Sequence, residues 1–273
     1  MTKTSATAAT RQGAQHPVPP AWPGAAAALL FLCACKPVEA PRLDVADPAA
    51  LYARALAEPQ PPSMYAHFDA AIAAPGQRLA LNGTLVVSPP DRFRVELRGP
   101  IGPVQLVVTC DGKDVRAWVA PKNSFYQADD ADGTLARLLG AGQEVHGAAV
   151  ATSLLMGRVP ALPMAPELTA AGPVATARWA RADGANFSLG IDGRTAHLVD
   201  ARATDEEGVV LFSGAWVPGE WPRALNVVLP TLEASADVSF GKWAPATPTD
   251  AAFTLTAPPG SLLVPLVLVP KGG

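Results

Sequence analysis

Apolar and polar residues alternate along residues 79–119, and this period of two constrains the fold more than any other feature. Within 92–98, Phe93, Val95 and Leu97 alternate with Arg and Glu side chains. Successive side chains of a strand point to opposite faces, so such a run has one oily and one charged face. The pattern therefore predicts an antiparallel meander with one face on a core. Turn sequences separate its strands at Pro89-Pro90-Asp91, Gly99-Pro100-Ile101-Gly102 and Asp111-Gly112.

A short helix is predicted before the sheet. Asp47-Pro48 has the form of an N-cap followed by a first-turn proline. Leu51, Ala55 and Leu56 are expected on one face of this helix. Prolines at 59, 61 and 62 end it, because proline cannot continue a helix.

A helical insertion is predicted at 132–158. Acidic residues at 129–132 suit the positive end of a helix dipole, and Gly140 ends that helix. A second helix is expected from Gly147 to Met156, with Gly157 as its cap. Its residues are apolar nearly all round, so we expect it to be covered on both sides.

Strands resume after a Pro/Ala-rich link at 160–173. The apolar tail Leu262–Val269 contains Pro265, so it is expected as an edge strand or as a segment laid over the fold. No internal repeat is apparent. The predicted strands between link and tail are 174–182, 185–191, 195–204, 208–216, 224–229, 232–241 and 251–256.

The N-terminal region has the features of a lipoprotein signal. Residues 25–32 are eight consecutive apolar residues, too short to span a bilayer, which needs about 20 residues. Positive charge before this run fits a secretory signal. Leu32-Cys33-Ala34-Cys35 has the form of a lipobox, in which cleavage leaves lipid on the last cysteine. The sequence therefore predicts a signal peptide over 1–34 and lipidation at Cys35; an ordinary secretory signal with a chance cysteine is the alternative.

Charge and composition exclude some classes of function. Only 16% of residues are charged and 49% are hydrophobic, so the mature chain is expected to fold. The net charge is −3, and loss of Lys3 and Arg11 with the signal leaves about −5. Because binding to phosphates needs clustered Lys and Arg, no nucleic-acid partner is expected.

Residues suited to catalysis or metal binding are scattered. Of the four histidines, one lies in the signal, and His67, His146 and His197 lack partners at metal-ligand spacing. The Asp129-Asp130 pair is explained more simply by a helix start than by catalysis. Cys110 precedes a glycine turn and is expected to be a small hydrophobe rather than a nucleophile. We therefore expect no enzyme activity, no catalytic residue, no metal and no cofactor.

Residues 91–160 resemble outer-membrane lipoprotein receptors of the LolB type. The resemblance includes an arginine-bearing strand, a Pro-x-Gly turn, a Tyr-x-Ala-Asp-Asp stretch and a helix that ends in Gly-x-x-Pro. It extends weakly to Trp243. The matching residues are Asp91-Arg92-Phe93-Arg94, Gly99-Pro100-Ile101-Gly102, Tyr126, Ala128-Asp129-Asp130-Ala131, Leu138-Leu139-Gly140 and Leu155-Met156-Gly157-Arg158-Val159-Pro160.

This resemblance implies a mainly β fold: a curved antiparallel sheet that forms an incomplete, half-open barrel, with short helices covering the open side. It also implies that an oily cavity accepts acyl chains of a lipoprotein or lipid cargo, received from a soluble periplasmic carrier of the LolA type. Ile101 stands where that family carries an apolar residue that inserts into the membrane. The residues expected to line the cavity are Val95, Leu97, Leu106, Val108, Val119 and Leu155.

The expected organisation follows from these observations. Residues 1–34 are the signal, 35–63 are the lipidated N-terminus, tether and short helix, and 64–273 are a single LolB-like β-barrel domain. Lys36 follows the lipidation cysteine where an inner-membrane retention signal would place Asp, which favours the outer membrane, facing the periplasm. A structural or assembly lipoprotein with a solid core is the alternative, because cavity-lining and core residues look alike in a sequence.

Lipidation can be tested directly. In cells that export and lipidate the protein, Cys35→Ala is expected to abolish acylation and leave the precursor uncleaved, because the thiol that receives the lipid is gone. Incorporation of radioactive palmitate measures this. Cys33→Ala is the matched control and is expected to label normally. Continued labelling of the Cys35→Ala variant would contradict the assignment.

Overall fold

The computed structural model describes residues 44–99, 102–142 and 144–266. The predicted signal peptide, Cys35 and Ile101 lie outside the described residues. All described elements belong to Arg42–Gly273, which is a compact unit of its own.

Three α-helices and fourteen strands are present in this part of the chain. The helices are α1 (Pro48–Ala57), α2 (Ala131–Leu139) and α3 (Gly147–Leu155). The strands are β1 (Met64–Ala74), β2 (Gln77–Ser88), β3 (Arg92–Arg98), β4 (Val104–Asp111), β5 (Val115–Val119), β6 (Ser124–Ala128), β7 (Glu167–Ala171), β8 (Val174–Ala180), β9 (Asn186–Asp192), β10 (Leu198–Thr204), β11 (Val210–Val217), β12 (Ala224–Leu229), β13 (Ala234–Pro245) and β14 (Leu262–Pro265).

These fourteen strands form one sheet in the order β14-β6-β5-β4-β3-β2-β1-β13-β12-β11-β10-β9-β8-β7. The order consists of two meanders, β1–β6 and β7–β13, joined where β1 pairs antiparallel with β13. The pairing of β14 with β6 is parallel. Because β14 and β7 stand at opposite ends of the order, the sheet is open. An open, mainly β sheet with short helices confirms the predicted fold class.

The local signals position the helices as expected. The Asp47 carboxylate accepts hydrogen bonds from the backbone N–H groups of Ala49 and Ala50 at the start of α1. Leu51 and Ala55 are buried, but Leu56 is exposed, so its predicted place on the apolar face is wrong. It directly follows Ala55, and adjacent residues of a helix point about 100° apart.

The helical insertion folds as a tight pair of helices. Gly140 adopts a left-handed φ of 64° and ends α2, which few residues other than glycine tolerate. A Cβ on Gly147 would lie 2.2 Å from the carbonyl oxygen of Asp132, so glycine permits the close approach of α3 to α2. The Asp132 carboxylate also accepts the N–H of Ala148 near the start of α3.

The pair α2 and α3 packs on both meanders. Helix α2 contacts β11 of the second meander, and α3 contacts β2 and β3 of the first. Helix α1 packs on β7 and β8. The interior is therefore apolar on both sides of α3, as its composition predicts.

The C-terminal segment runs over the outer face of the first meander. Asp250 forms an ion pair with Arg92 at 2.7 Å. Phe253, which is 1% exposed, lies under the same guanidinium, with Cζ 5.0 Å from the ring centroid. The segment then reaches β6, where the N–H of Leu262 donates to the carbonyl of Asn123. It thus covers the outer face before it adds β14 to the edge.

Two strand predictions are wrong, and each has a physical reason. Residues 251–256 are not a strand; a 3₁₀ turn at Asp250–Ala252 precedes Phe253, whose burial anchors this segment across the strands rather than beside one. The strand β7 lies in the predicted link 160–173. It is an edge strand in which only Leu168 is half-buried, so apolar alternation does not mark it. The predicted edge strand in the tail is confirmed for Leu262–Pro265.

Candidate functional site

The predicted cavity residues come together on the inner face of the first meander. The register pairs Val95 with Val108, Leu97 with Leu106, and Leu106 with Val119 across β3, β4 and β5. Leu155, at the end of α3, packs against the two apolar clusters on this side. We call these six residues the inner apolar surface: Val95, Leu97, Leu106, Val108, Val119 and Leu155.

The inner apolar surface is only partly covered. Leu97 is 5% exposed, whereas the other five residues are half-buried. One row further along the same strands, Phe93, Cys110 and Val115 are buried against α2 and α3. The helices therefore cover one end of this face and leave apolar area accessible at the other.

The second meander has a larger filled core, although Leu211, Val227 and Leu229 at its margin are also half-buried. Phe187, Leu189 and Leu198 are at most 1% exposed, and α1, α2 and α3 all contribute to the same cluster. Burial of each such side chain contributes about 1.5–3 kcal/mol. The first meander is also filled over β1 and β2, where Leu85 and Val87 are at most 1% exposed, so the incompletely covered apolar face is confined to β3, β4 and β5.

The chemistry of the inner apolar surface is that of hydrocarbon. None of its six side chains carries a charge or a hydrogen-bonding group. Contact with an acyl chain would remove apolar area from water on both partners, about 0.8 kcal/mol per buried CH₂ group. The surface can therefore bind an apolar chain without recognising a polar headgroup.

Cys110 lies beside this surface and is chemically quiet. Its side chain is fully buried, and the Sγ–H donates to the carbonyl of Asp91 at 3.3 Å. Burial raises the pKa of the thiol to about 11. Because the thiolate is the nucleophilic form, Cys110 serves as a small hydrophobe, as predicted.

The acidic pair of the insertion has a structural position. The Asp130 carboxylate accepts the N–H of Gly133 as the N-cap of α2. Within residues 44–99, 102–142 and 144–266, no three His, Cys, Asp or Glu side chains come close enough to hold a metal ion. Over the same ranges, the helices are all too short or too polar to span a membrane.

A polar cluster of Glu58, Arg158 and His197 lies at the other end of the sheet from the β1–β2 hairpin tip. Glu58 ends α1, Arg158 follows α3, and His197 precedes β10. Arg158 forms an ion pair with Glu58 and lies over the ring of Trp221, with Cζ 5.3 Å from its centroid. The cluster borders an open cleft of about 430 Å³.

Burial and neighbouring groups together set the protonation that His197 prefers in this cluster. Its Nδ1 lies 2.6 Å from the carbonyl oxygen of Gly219, which only accepts, so Nδ1 carries the proton. The other nitrogen, Nε2, faces two groups: Nη1 of Arg158 at 2.9 Å, from which the neutral ring accepts a hydrogen bond, and Oε1 of Glu58 at 3.1 Å. Burial, and then the positive charge of Arg158, lower the pKa of His197. The folded protein therefore favours the neutral imidazole.

No local sequence pattern indicates this cluster. Arg158 is 39 residues from His197 and 100 residues from Glu58 along the chain, so no local spacing connects the three. The one available signal was Arg158 itself, a cation placed directly after the apolar α3.

The fold resembles solved structures, although no protein-family model and no curated protein matches the sequence. A DUF1329 family protein from Desulfovibrio piger aligns over 75% of this chain and 95% of its own, with a TM-score of 0.50 and 9% identity. This likeness shows a shared fold.

Two further structures align less closely. A LolA superfamily protein from Nitrosomonas europaea has a TM-score of 0.48 at 12% identity, over 77% of this chain and 99% of its own. An outer membrane lipoprotein-sorting protein domain from Vibrio parahaemolyticus has a TM-score of 0.45 at 9% identity, over 71% and 90%.

The protonation of His197 predicts how stability depends on pH. The pKa of His197 is below 6.5 in the folded state, so below about pH 6.5 the unfolded chain binds more protons at this residue. The stabilisation that neutral His197 provides is therefore fully present above about pH 6.5. It is lost as the pH falls toward the pKa of His197 in the folded state. Urea unfolding at about pH 7.5 and about pH 5.5 measures this, and His197→Gln is expected to reduce the difference.

The matched control is His146, which is exposed and bonds only Asp132 at 3.1 Å. His146→Gln is expected to leave the pH dependence as in the wild type. An equal pH dependence in the wild type and in His197→Gln would contradict the proton assignment.

Proposed function

We propose that the protein is a lipid-anchored carrier that binds the acyl chains of lipoprotein or lipid cargo and delivers them to the outer membrane. The observation that carries this proposal is the half-buried inner apolar surface on β3, β4 and β5, beside the filled cores of the sheet. Leaving five apolar side chains partly covered forgoes burial free energy that complete packing would provide. A transient apolar ligand explains why that area stays accessible.

The proposed location rests on the sequence. Cys35 is the lipidation residue, and Lys36 behind it favours the outer membrane. From there the domain faces the periplasm and receives cargo from a soluble carrier of the LolA type. The binding chemistry needs no nucleotide, metal or catalytic group, because only apolar contact is exchanged. We therefore propose a binding protein rather than an enzyme.

A structural lipoprotein with a solid core is the second candidate. It is favoured by the second meander, where residues such as Leu189 and Leu198 are fully buried. The two candidates differ in what they predict for the first meander. A carrier binds lipid there, whereas a structural protein does not.

Substitution of Leu106 separates the candidates. Leu106→Asn is expected to weaken binding of a fluorescent fatty acid by about tenfold, because it introduces a polar group into the inner apolar surface. The free energy of unfolding is expected to fall by only about 1 kcal/mol, since Leu106 is half-buried and water reaches it. Displacement of dansyl-undecanoic acid and urea unfolding provide the two measurements.

Two control variants complete this experiment. Leu189→Asn places the same polar group at a fully buried position of the second meander and is expected to destabilise the fold by several kcal/mol. Val217→Asn, at an exposed position, is expected to change neither measurement. Absence of fatty-acid binding by the wild type, together with unfolding by Leu106→Asn, would favour the solid core.

Ile101 is proposed as a membrane-inserting residue of the turn between β3 and β4. Turn positions usually carry Gly, Pro, Asn or Asp, so a β-branched apolar residue there is not explained by turn chemistry. Ile101→Glu is expected to leave the melting temperature and fatty-acid binding unchanged but to block transfer of bound lipid to liposomes. Ile101→Leu is the control and should transfer normally. Normal transfer by Ile101→Glu would remove this residue from the proposal.

A further inference from the structure

Most of the exposed large apolar side chains of the described chain lie at one end of the sheet. In an antiparallel meander every second connection lies at the same end, and we call the end that holds residues 75–76, 120–123, 205–209 and 230–233 the distal end. Five of the eight large apolar side chains that are exposed in residues 44–99, 102–142 and 144–266 are at this end. They are Leu79 (42% exposed), Val209 (53%), Leu232 (48%), Leu262 (65%) and Leu263 (68%).

The two most exposed residues belong to β14. Adjacent residues of a strand point to opposite faces, yet Leu262 and Leu263 are both about two-thirds exposed. The hydrogen bonds of Ser261 and Leu262 to Asn123 fix this segment at the distal end. Neither leucine contributes to the described core clusters. Packing within the fold therefore does not explain them.

Charge divides the distal end into two halves. Arg78 and Lys122 are exposed in the first meander, and within the described chain neither forms an ion pair. The described residues of 72–82, 97–106, 117–124 and 256–264 contain no Asp or Glu. The distal connections of the second meander, in contrast, carry the acidic residues Asp183, Asp205, Glu206, Glu207 and Glu233.

We propose that the basic half of the distal end, formed by Leu79, Leu262, Leu263, Arg78 and Lys122, docks on an anionic lipid bilayer. Exposed leucines next to unpaired cations complement a surface of acidic headgroups over hydrocarbon. The acidic half of the same end is repelled by such a surface, so the docked domain tilts with β14 toward the membrane.

The spacing of these residues favours a membrane over a partner that fits a groove. Leu79 lies on β2 and Leu262 on β14, with β3, β4, β5 and β6 between them. Five strand spacings of about 4.8 Å separate the two residues by roughly 24 Å along the sheet. A flat bilayer can contact residues this far apart at the same time and needs no groove between them. This docking concerns the membrane and does not require the acyl-binding function.

Vesicle flotation with the unit Arg42–Gly273, which contains every described element and lacks Cys35, tests the proposal. The wild type is expected to float with vesicles of 30% phosphatidylglycerol in phosphatidylcholine and much less with phosphatidylcholine alone. The double variant Leu262→Ser/Leu263→Ser is expected to lower the partition coefficient at least tenfold, since two exposed leucines no longer enter the bilayer. Arg78→Gln/Lys122→Gln is expected to remove the preference for the anionic vesicles and the sensitivity to salt.

Matched controls are available at the opposite end of the sheet. Val217 is 51% exposed and Arg223 is exposed, so Val217→Ser and Arg223→Gln make the same chemical changes there. Both are expected to float like the wild type. Failure of the wild type to float with anionic vesicles, or an equal loss in the control variants, would overturn the proposal.

Two further results have a defined meaning. Concentration-dependent dimers in the absence of lipid, abolished by Leu262→Ser/Leu263→Ser, would instead assign these leucines to contact with a second copy and overturn membrane docking. Fatty-acid displacement is expected to be the same in the wild type and in the leucine variant. Loss of flotation with intact fatty-acid binding therefore separates this surface from the proposed carrier function.

Discussion

The antiparallel pairing of β1 with β13 is the interaction on which the rest of the structure depends. It extends from Met64 opposite Pro245 to Ala73 opposite Ser235 and joins the last strand of the second meander to the first strand of the first. Without it the two meanders would be separate sheets, and α3 would have no second surface to cover it. One long seam thus creates both the continuous sheet and the interior that the helices occupy.

The apolar interior is uneven because the helices are short. Helices α2 and α3 have nine residues each, so each is about 13 Å long at 1.5 Å per residue. That length covers the rows that contain Phe93 and Cys110 but leaves Val95, Leu106 and Val108 half-buried. Helix length, rather than any special side chain, therefore leaves the inner apolar surface open.

Period-two alternation was sufficient to predict strands β2 to β5 of the first meander and the residues of their inner face, because each burial pattern is local. The capping residue Asp47 and the turn glycine Gly140 similarly marked helix ends through local geometry. The ion pair of Arg158 with Glu58 and the anchoring of Phe253 on Arg92 could not be predicted. Both depend on which distant segments the completed fold brings together, and neither has a local sequence signature.

The separation of polar and apolar features has a consequence for ligand selectivity. The cluster of Glu58, Arg158 and His197 lies at the end of the sheet opposite the distal end, and its members bond one another and the carbonyl of Gly219. The inner apolar surface offers no polar partner of its own. A ligand bound there would gain free energy in proportion to its buried chain and would keep its headgroup in water. Such a surface would discriminate among ligands by the length of the apolar chain and would tolerate different headgroups.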